Sequence, residues 1–324
     1  MKFNKTLFIT SLDDSHADYI ITILNERGLG DCVVRLNTEN FIENCVVSFT
    51  ETKFEIIIKD SNRKVISNEI STVWFRRPKD FSFKDEDDRT TSFIHKQSTS
   101  LLRGIYFATH DTAKWINPLP SLHRARIKLQ QLQLAKTLGF NVPKTLATNN
   151  PDAVLDFIST VDSISTKSLD EPNFKTDRYI YPLFNKKLDP TFIKENIENI
   201  RNCPTLFQQY IDKKSDIRVV VIGSKIFAFQ IYSQDNPLSV EDFRGVTPSL
   251  LKHELITLPS DLQEKIFAYL KKQGLTYSSL DFVLSKDDKY YFIENNANGQ
   301  WLWLELNTGV KISEAIIDEL TLTT

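Results

Sequence analysis

The residues with the clearest capacity for chemistry lie late in the chain: Asp281, then the run Tyr290-Tyr291-Phe292-Ile293-Glu294-Asn295-Asn296-Ala297-Asn298-Gly299. Side chains alternate between faces along a strand, so Glu294 and Asn296 point the same way. Asp281 falls on the preceding strand of a predicted hairpin and can sit opposite that face. Two carboxylates and one amide oxygen make a hard-oxygen set, which suits Mg²⁺ shared with water and phosphate oxygens. The neutral Asn supplies an oxygen without adding a third anion beside a polyanion. The bland alternative is a polar strand end facing solvent, and Glu-x-Asn alone does not separate the two. The neighbours Phe282, Phe292 and Ile293 favour the metal, because they predict a buried hairpin where unpaired carboxylates are costly.

A triphosphate also needs cations. Lys128 lies on a predicted helix behind Asn117-Pro118, and Lys167 ends a predicted strand. Arg218 opens the strand after Asp216, and Arg244 follows Asp242-Phe243. Lysine balances phosphate as a point charge, whereas arginine grips it through two parallel hydrogen bonds. Spacing alone does not bring these four together, and each by itself equally fits a solvated surface.

The elements that would position these groups are legible from periodicity. A strand over 6–10 leads to a helix capped by Asp14 or Ser15 and stopped by Gly28, with Ile20, Ile21, Ile23 and Leu24 on its apolar stripe. Strands are predicted over 32–36, 46–49, 54–59 and 72–76, and a helix over 92–109. Residues 115–118 read as a linker, followed by one helix over 121–138 with Gly139 as its stop. Further on come a helix from Asn149-Asn150-Pro151 to about Ser159 and a strand over 163–167. Strands over 206–211 and 217–222 flank a charged turn at 212–216, and 226–232 closes a hairpin around Gly223-Ser224. An amphipathic helix over 262–273 precedes the strands 279–284 and 290–295.

Bulk properties narrow the function classes. The chain has 324 residues, 41% hydrophobic and 25% charged, with a formal net charge of −2. That fits a soluble protein of two or three subdomains sharing a cleft and argues against a general nucleic-acid binder. Only 9 glycines are present, with no GxGxxG or GxxxxGK cradle, no HExxH, no zinc-spaced cluster and no GxSxG elbow. Three cysteines without CxxC spacing do not form a disulfide framework. No signal peptide or membrane span is expected, which makes the cytoplasm the default location. Basic pairs such as Lys186-Lys187 and Lys213-Lys214 fit solvated surface. His95, His110, His123 and His253 have no evident partners, and Cys203 before Pro204 reads as structural. Trp301 and Trp303 alternate with Leu302 and Leu304 and read as core or wall rather than a base-stacking platform. Of Arg76 and Arg77, successive on a strand end, at most one is expected to reach a cleft.

The segments "KLQQLQLAKTLGFNVPKTLATNNPDAV", "LFQQYIDKKSDIRVVVIG" and "LDFVLSKDDKYYFIENNANGQWLWLE" together resemble the ATP-grasp ligases. With "VWFRRP" at 73–78 and "WINP" at 115–118, the resemblance is to the graspetide (microviridin-type) peptide macrocyclases and runs over almost the whole chain. It implies a mixed α/β (α+β) ATP-grasp fold. Residues 1–115 would form an N-terminal pre-ATP-grasp α/β domain, 116–211 a central subdomain, and 212–324 a C-terminal subdomain with the metal site, the last two enclosing a nucleotide cleft. It further implies Lys128 and Lys167 as phosphate lysines, Gln208-Gln209-Tyr210-Ile211 as a hinge that receives adenine through backbone groups, and Asp216 near the ribose. Arg218 and Arg244 would act on the phosphates or the activated carboxylate, and Asp281, Glu294 and Asn296 would hold Mg²⁺. Asn298 and Gly299-Gln300-Trp301 would shape the cleft floor, with Arg76, Arg77 and Asn298 as substrate candidates.

Three departures from the family pattern stand out: Asn295 between Glu294 and Asn296, Ala297 where Pro is common, and a glycine-free stretch after Lys167 that leaves the phosphate lid absent or replaced. The implied reaction is ATP-dependent phosphorylation of Asp or Glu side chains of a precursor peptide, then ester closure by Thr or Ser or amide closure by Lys. That peptide would carry a leader segment that docks outside the active cleft and an acidic, Thr-rich core; a homodimer is also implied. The alternatives are a ligase adding free amino acids to a peptide or protein, and an ATP-binding regulatory protein without turnover.

Overall fold

A computed structural model describes the whole chain except residues 1–4, 84–86, 171–172, 176–178, 183–184 and 323–324. Its first part is built on Lys5–Thr10 (β1), Val33–Asn37 (β2), Ile70–Phe75 (β6) and Lys114–Ile116 (β7), which form a sheet in the order β2-β1-β6-β7 with every neighbouring pair parallel. Between β2 and β6 come the short helix Phe41–Asn44 (α2) and an antiparallel meander of Cys45–Phe49 (β3), Phe54–Ile58 (β4) and Arg63–Ile66 (β5). Sequence reading missed β5, where polar Arg63 and Lys64 break the apolar pattern and only Val65 is buried.

A parallel sheet has to be covered on both faces. On one face, Leu7, Ile9 and Val73 pack with Ile105 and Tyr106 of the helix Asp88–Thr109 (α3). On the other, Phe8, Trp74 and Ile116 pack with Ala17, Ile20 and Leu24 of Ser15–Glu26 (α1). The Asp14 carboxylate caps α1 by accepting from the His16 N–H, and Gly28 follows the helix at φ 72°, a left-handed turn that glycine adopts without strain.

Residues 115–118 are not a linker. Trp115 and Ile116 are buried in the edge strand β7, and Asn117 has no exposed surface. The predicted helix over 121–138 is two helices, Leu119–Ala125 (α4) and Lys128–Thr137 (α5). The break frees the Ala125 carbonyl, which accepts from Gln131 Nε2 at 2.6 Å, and it makes Lys128 the first residue of α5.

The central part holds an antiparallel sheet in the order β12-β9-β13-β8, from Lys186–Leu188 (β12), Ile164–Lys167 (β9), Thr205–Gln209 (β13) and Thr145–Thr148 (β8). Pro151–Ile158 (α6) and Pro190–Glu195 (α7) bring Val154 and Ile193 against it. Among the described residues, Asn173–Lys175 (β10) and Ile180–Pro182 (β11) form a separate antiparallel pair.

The C-terminal sheet is antiparallel in the order β16-β15-β14-β17-β18: His253–Ile256, Lys225–Ile231, Lys213–Ile222, Tyr277–Ser285 and Tyr290–Asn296. The predicted turn at 212–216 is mostly strand. Lys213 enters β14 buried because its ammonium donates to both Asp216 carboxylate oxygens, at 2.9 and 2.7 Å, and the pair neutralises itself. Ser260–Gln273 (α8) covers one face, and Gly274 ends it in the left-handed conformation. Leu302–Thr308 (α9) and Ile312–Thr321 (α10) cover the other and pack against the N-terminal sheet as well. The Trp/Leu alternation at 301–304 has a strand's period, which hid α9. Trp301 is fully buried just before that helix. No helix among the described residues is long and apolar enough to cross a membrane.

Candidate functional site

A cleft of about 1580 Å³ is lined by residues of the N-terminal part, the central β12-β9-β13-β8 sheet and the C-terminal sheet. Asp281, Glu294 and Asn296 all line it. On the β17–β18 hairpin Asp281 faces Glu294 directly, and the register then shifts so that Phe282 faces Phe292 and Ile293 is the extra residue. Such a bulge re-aims a side chain, and simple alternation could not foresee it. The Asn298 N–H donates to Asn296 Oδ1 at 3.2 Å and orients that amide.

The electrostatics of the two carboxylates differ. Burial pushes the Asp281 carboxyl up to about 7, against the pull of Arg218, and Glu294 adds to the rise. Arg218 sits opposite Asp281 on β14, with Nε 2.7 Å from Oδ1 but without hydrogen-bond alignment. Burial also raises Glu294, but Lys167, Arg244, Lys128 and Arg218 more than cancel it and hold the carboxyl below its ordinary range. Two facing carboxylates beside an amide oxygen fit a hard divalent cation.

The four cations come from different elements and converge on Glu294. Lys167 ends β9 and Lys128 starts α5; burial lowers both ammonium groups, and Glu294 acts against that in each. Lys128 Nζ donates to the Ser168 carbonyl at 2.6 Å, which ties α5 to the segment after β9. The Arg218 guanidinium stacks 5.7 Å from the Phe243 ring and 6.0 Å from the Trp303 ring. Arg244 is held side-on by Asp242, with Nε–Oδ1 2.8 Å and Nη2–Oδ2 2.5 Å, and this pairing raises its pKa. Asp242 Oδ2 also accepts the Asn185 N–H at 3.2 Å, from the segment leading into β12.

The stretch 208–211 lines the same cleft. The Gln209 and Tyr210 N–H groups are taken by the carbonyls of Lys144 and Ser163, at 2.8 and 2.9 Å. Gln208 is buried, with Nε2 donating to Thr145 Oγ1 at 3.1 Å. The Ile211 N–H has no protein partner among the described residues. Asp216 lines the cleft with its carboxylate engaged by Lys213; burial raises its pKa against that pairing.

Arg76 does not line the cleft. It is 1% exposed, with Nε 3.3 Å from Asp14 Oδ2 and Nη1 donating to the Gly299 carbonyl at 3.2 Å. Arg77 does line it, from a backbone at φ 44°. With the Asn298 amide oriented so that its nitrogen meets acceptors, it donates to the carbonyls of Ala297 and Phe75 at 3.1 and 3.2 Å. The glycine-free stretch after Lys167 lies partly outside the described residues.

Three further residues hold this site: Gly299, which the resemblance placed in the cleft floor, and Asn117 and Gln131, whose roles the sequence reading missed. The Asn117 amide nitrogen donates to the carbonyls of Tyr277 (2.8 Å) and Ala297 (3.0 Å), and its oxygen accepts the N–H groups of Thr276 (2.8 Å) and Tyr277 (2.9 Å). Gln131 clamps the backbone of Asn295. A Cβ on Gly299 would sit 2.4 Å from the Ser279 Cβ, so only glycine lets the turn after Asn296 lie on β17. The one available signal was a polar residue inside an apolar run, Asn117 after Trp115-Ile116.

The chain is similar to known proteins in sequence and in fold. Residues 125–320 match the RimK-like ATP-grasp domain. The macrocyclase MdnC of Microcystis aeruginosa, solved with its precursor peptide MdnA, is 26% identical, with a TM-score of 0.83 over 98% of this chain and 99% of that one. A RiPP-associated ATP-grasp ligase of Chryseobacterium gregarium, solved with ADP and a leader and core peptide, is 26% identical, with a TM-score of 0.85 over 99% of each chain. A probable alpha-L-glutamate ligase of Shewanella baltica is 26% identical over 202 residues, 61% of this chain and 64% of its own length. The family match takes in Lys128, Lys167, the 208–211 stretch and the whole β17–β18 hairpin, and by that match the chain belongs to the RimK-like ATP-grasp family.

Proposed function

We propose that this protein is an ATP-dependent peptide macrocyclase of the graspetide type. The carrying observation is the continuity of the cleft. At about 1580 Å³ it reaches from Glu294 to a wall of the N-terminal part, more space than the roughly 300–1,000 Å³ of a small-molecule site. Likeness over nearly the full length to two ligases solved with precursor, leader or core peptides supports a peptide as the occupant of the remainder.

In this reading ATP takes the 208–211 edge, with the free Ile211 N–H offered to adenine. Asp281, Glu294 and Asn296 would hold Mg²⁺, which when bound neutralises phosphate oxygens. Lys128 and Lys167, desolvated and already drawn to Glu294, meet the phosphates as point charges. Arg218 and Arg244 stabilise charge on the transferring phosphoryl, each in a fixed orientation that needs no rearrangement during the reaction. An Asp or Glu side-chain oxygen of the peptide attacks the γ-phosphorus, the bridging P–O bond breaks and ADP leaves. A Thr or Ser hydroxyl, or a Lys amine, then attacks the acyl carbon, phosphate leaves, and an ester or amide ring closes.

Intact-mass analysis of a candidate acidic, Thr-rich precursor incubated with enzyme, ATP and Mg²⁺ tests this. Loss of one water per ring is expected, absent with Glu294→Ala. Unchanged peptide mass despite ADP release would sink it. The likeness to glutamate ligases supports a second reading, addition of free amino acids to a peptide or protein end; a mass gain on supplying free glutamate would select it.

A further inference from the structure

The cleft wall farthest in sequence from the metal set is made by one stripe of α3. His95, Thr99, Leu102, Arg103, Tyr106 and Phe107 all line the cleft, and their spacings of four, three, one, three and one keep them on one side of a helix. The neighbouring side packs Ile105 and Thr109 into the N-terminal core. Phe107 is 68% exposed, so this aromatic ring is presented to the cleft and not spent on the fold. Arg77 joins the wall from the end of β6.

Among the described residues neither Arg77 nor Arg103 has a carboxylate partner, whereas nearby Lys79 pairs with Asp13 and His95 lies 3.7 Å from Asp80. Arg77 adopts φ 44°, a left-handed conformation that is strained for a non-glycine residue. The residue before it is pinned, because the Arg76 N–H donates to the Ile9 carbonyl at 2.9 Å. The Phe75 carbonyl, two residues earlier, meets the Asn298 amide, which places Arg77 beside the turn that carries Asn296. Unpaired guanidinium groups on a chain of net charge −2 mark a local excess of positive charge inside the reaction cleft.

We propose that this wall docks an acidic peptide segment next to the reacting carboxylate, with Arg103 and Arg77 taking its flanking carboxylates and Phe107 taking an apolar side chain. The proposal rests on the reading of the substrate as a peptide. It assigns the specificity of the cleft to the N-terminal part and leaves nucleotide binding to the other two sheets.

Fluorescence anisotropy with a labelled synthetic Glu-rich peptide containing one Phe, and its all-Gln counterpart, provides the test on the full chain with Mg²⁺ and AMPPNP. The wild type is expected to prefer the Glu peptide by about threefold to tenfold at low salt, a preference that fades as salt rises. Arg103→Ala and Arg77→Ala should each reduce that preference, and Phe107→Ala should weaken both peptides alike. AMPPNP affinity, unchanged in all three variants, shows that they are folded. Equal binding of the two peptides by the wild type, or an undiminished preference in Arg77→Ala/Arg103→Ala, overturns the docking surface. Persistence of the preference without any ring closure in the mass assay would keep the docking surface and remove macrocyclisation; ring closure without the preference would do the reverse.

Discussion

Gln131 and Asn295 are joined as two strands of a sheet are joined: Gln131 Oε1 accepts the Asn295 N–H at 2.8 Å, and its Nε2 donates to the Asn295 carbonyl at 2.9 Å. One side chain of α5 thus replaces the missing neighbour of the edge strand β18 between its two metal-set residues. It also fixes the helix that begins with Lys128 relative to Glu294. Gln131→Ala strands a buried N–H and two carbonyls, and is expected to cost about 2–4 kcal/mol. Urea denaturation reads the stability, and calorimetric titration with Mg²⁺ and AMPPNP should show weakened binding. Unchanged nucleotide affinity in a folded variant would separate the clamp from the site.

Asn117 plays the corresponding part for the other end of the hairpin. Its amide answers two carbonyls and two N–H groups at a position with no exposure. Asn117→Asp is isosteric but leaves the carbonyls of Tyr277 and Ala297 facing an oxygen. A loss of about 3–5 kcal/mol is expected, seen as a lowered melting temperature or loss of soluble protein. Wild-type stability for this variant would refute the role.

These two amides show where sequence reading ran out. The hairpin, its carboxylates and the flanking strands follow from alternation, and α1 and α8 from a stripe plus a glycine stop. Convergence was not legible, because Lys128, Lys167, Arg218 and Arg244 are brought together by packing between sheets that no local spacing encodes. The strand register was legible only up to Asp281, since the bulge at Ile293 depends on how β18 meets β17. Residues 115–118 were misread for the same reason: Asn117 and Pro118 look like a turn, yet tertiary hydrogen bonds make Asn117 a core residue.

His16 carries a pH dependence away from the metal set. It is 5% exposed and its ring stands edge-on to Trp301 at 5.2 Å. Burial foremost, then Arg76, lower its pKa from 6.5 to about 3; Asp14 opposes them and Arg77 adds a little. The unfolded chain therefore binds the proton that the folded chain refuses, and stability falls as pH drops from 6.5 towards 3, by at most about 1.4 kcal/mol per unit. Asp14, also lowered, adds to the loss only in the acidic part of that range. His16→Phe keeps an aromatic contact with Trp301 and should flatten the denaturation midpoint between pH 6.5 and 5; an unchanged slope would place the dependence elsewhere.

Asp242 is the strongest candidate for a residue that acts through another. Its carboxylate fixes the plane of the Arg244 guanidinium, accepts the Arg244 N–H at 3.1 Å, and reaches the Asn185 N–H at 3.2 Å across to the central part. A guanidinium that must meet a transferring phosphoryl gains from being held in place beforehand, since no orientation then has to be found during the reaction. Asp242→Asn retains an acceptor for one partner only and loses the charge. Turnover, followed as ADP release, is expected to fall about tenfold to a hundredfold, with the KM for ATP changed by less than about threefold. Asp242→Glu should recover part of the turnover. A rise in KM with kcat preserved would mean that Asp242 serves ground-state nucleotide binding, and wild-type turnover in Asp242→Asn would mean that Arg244 needs no support at all.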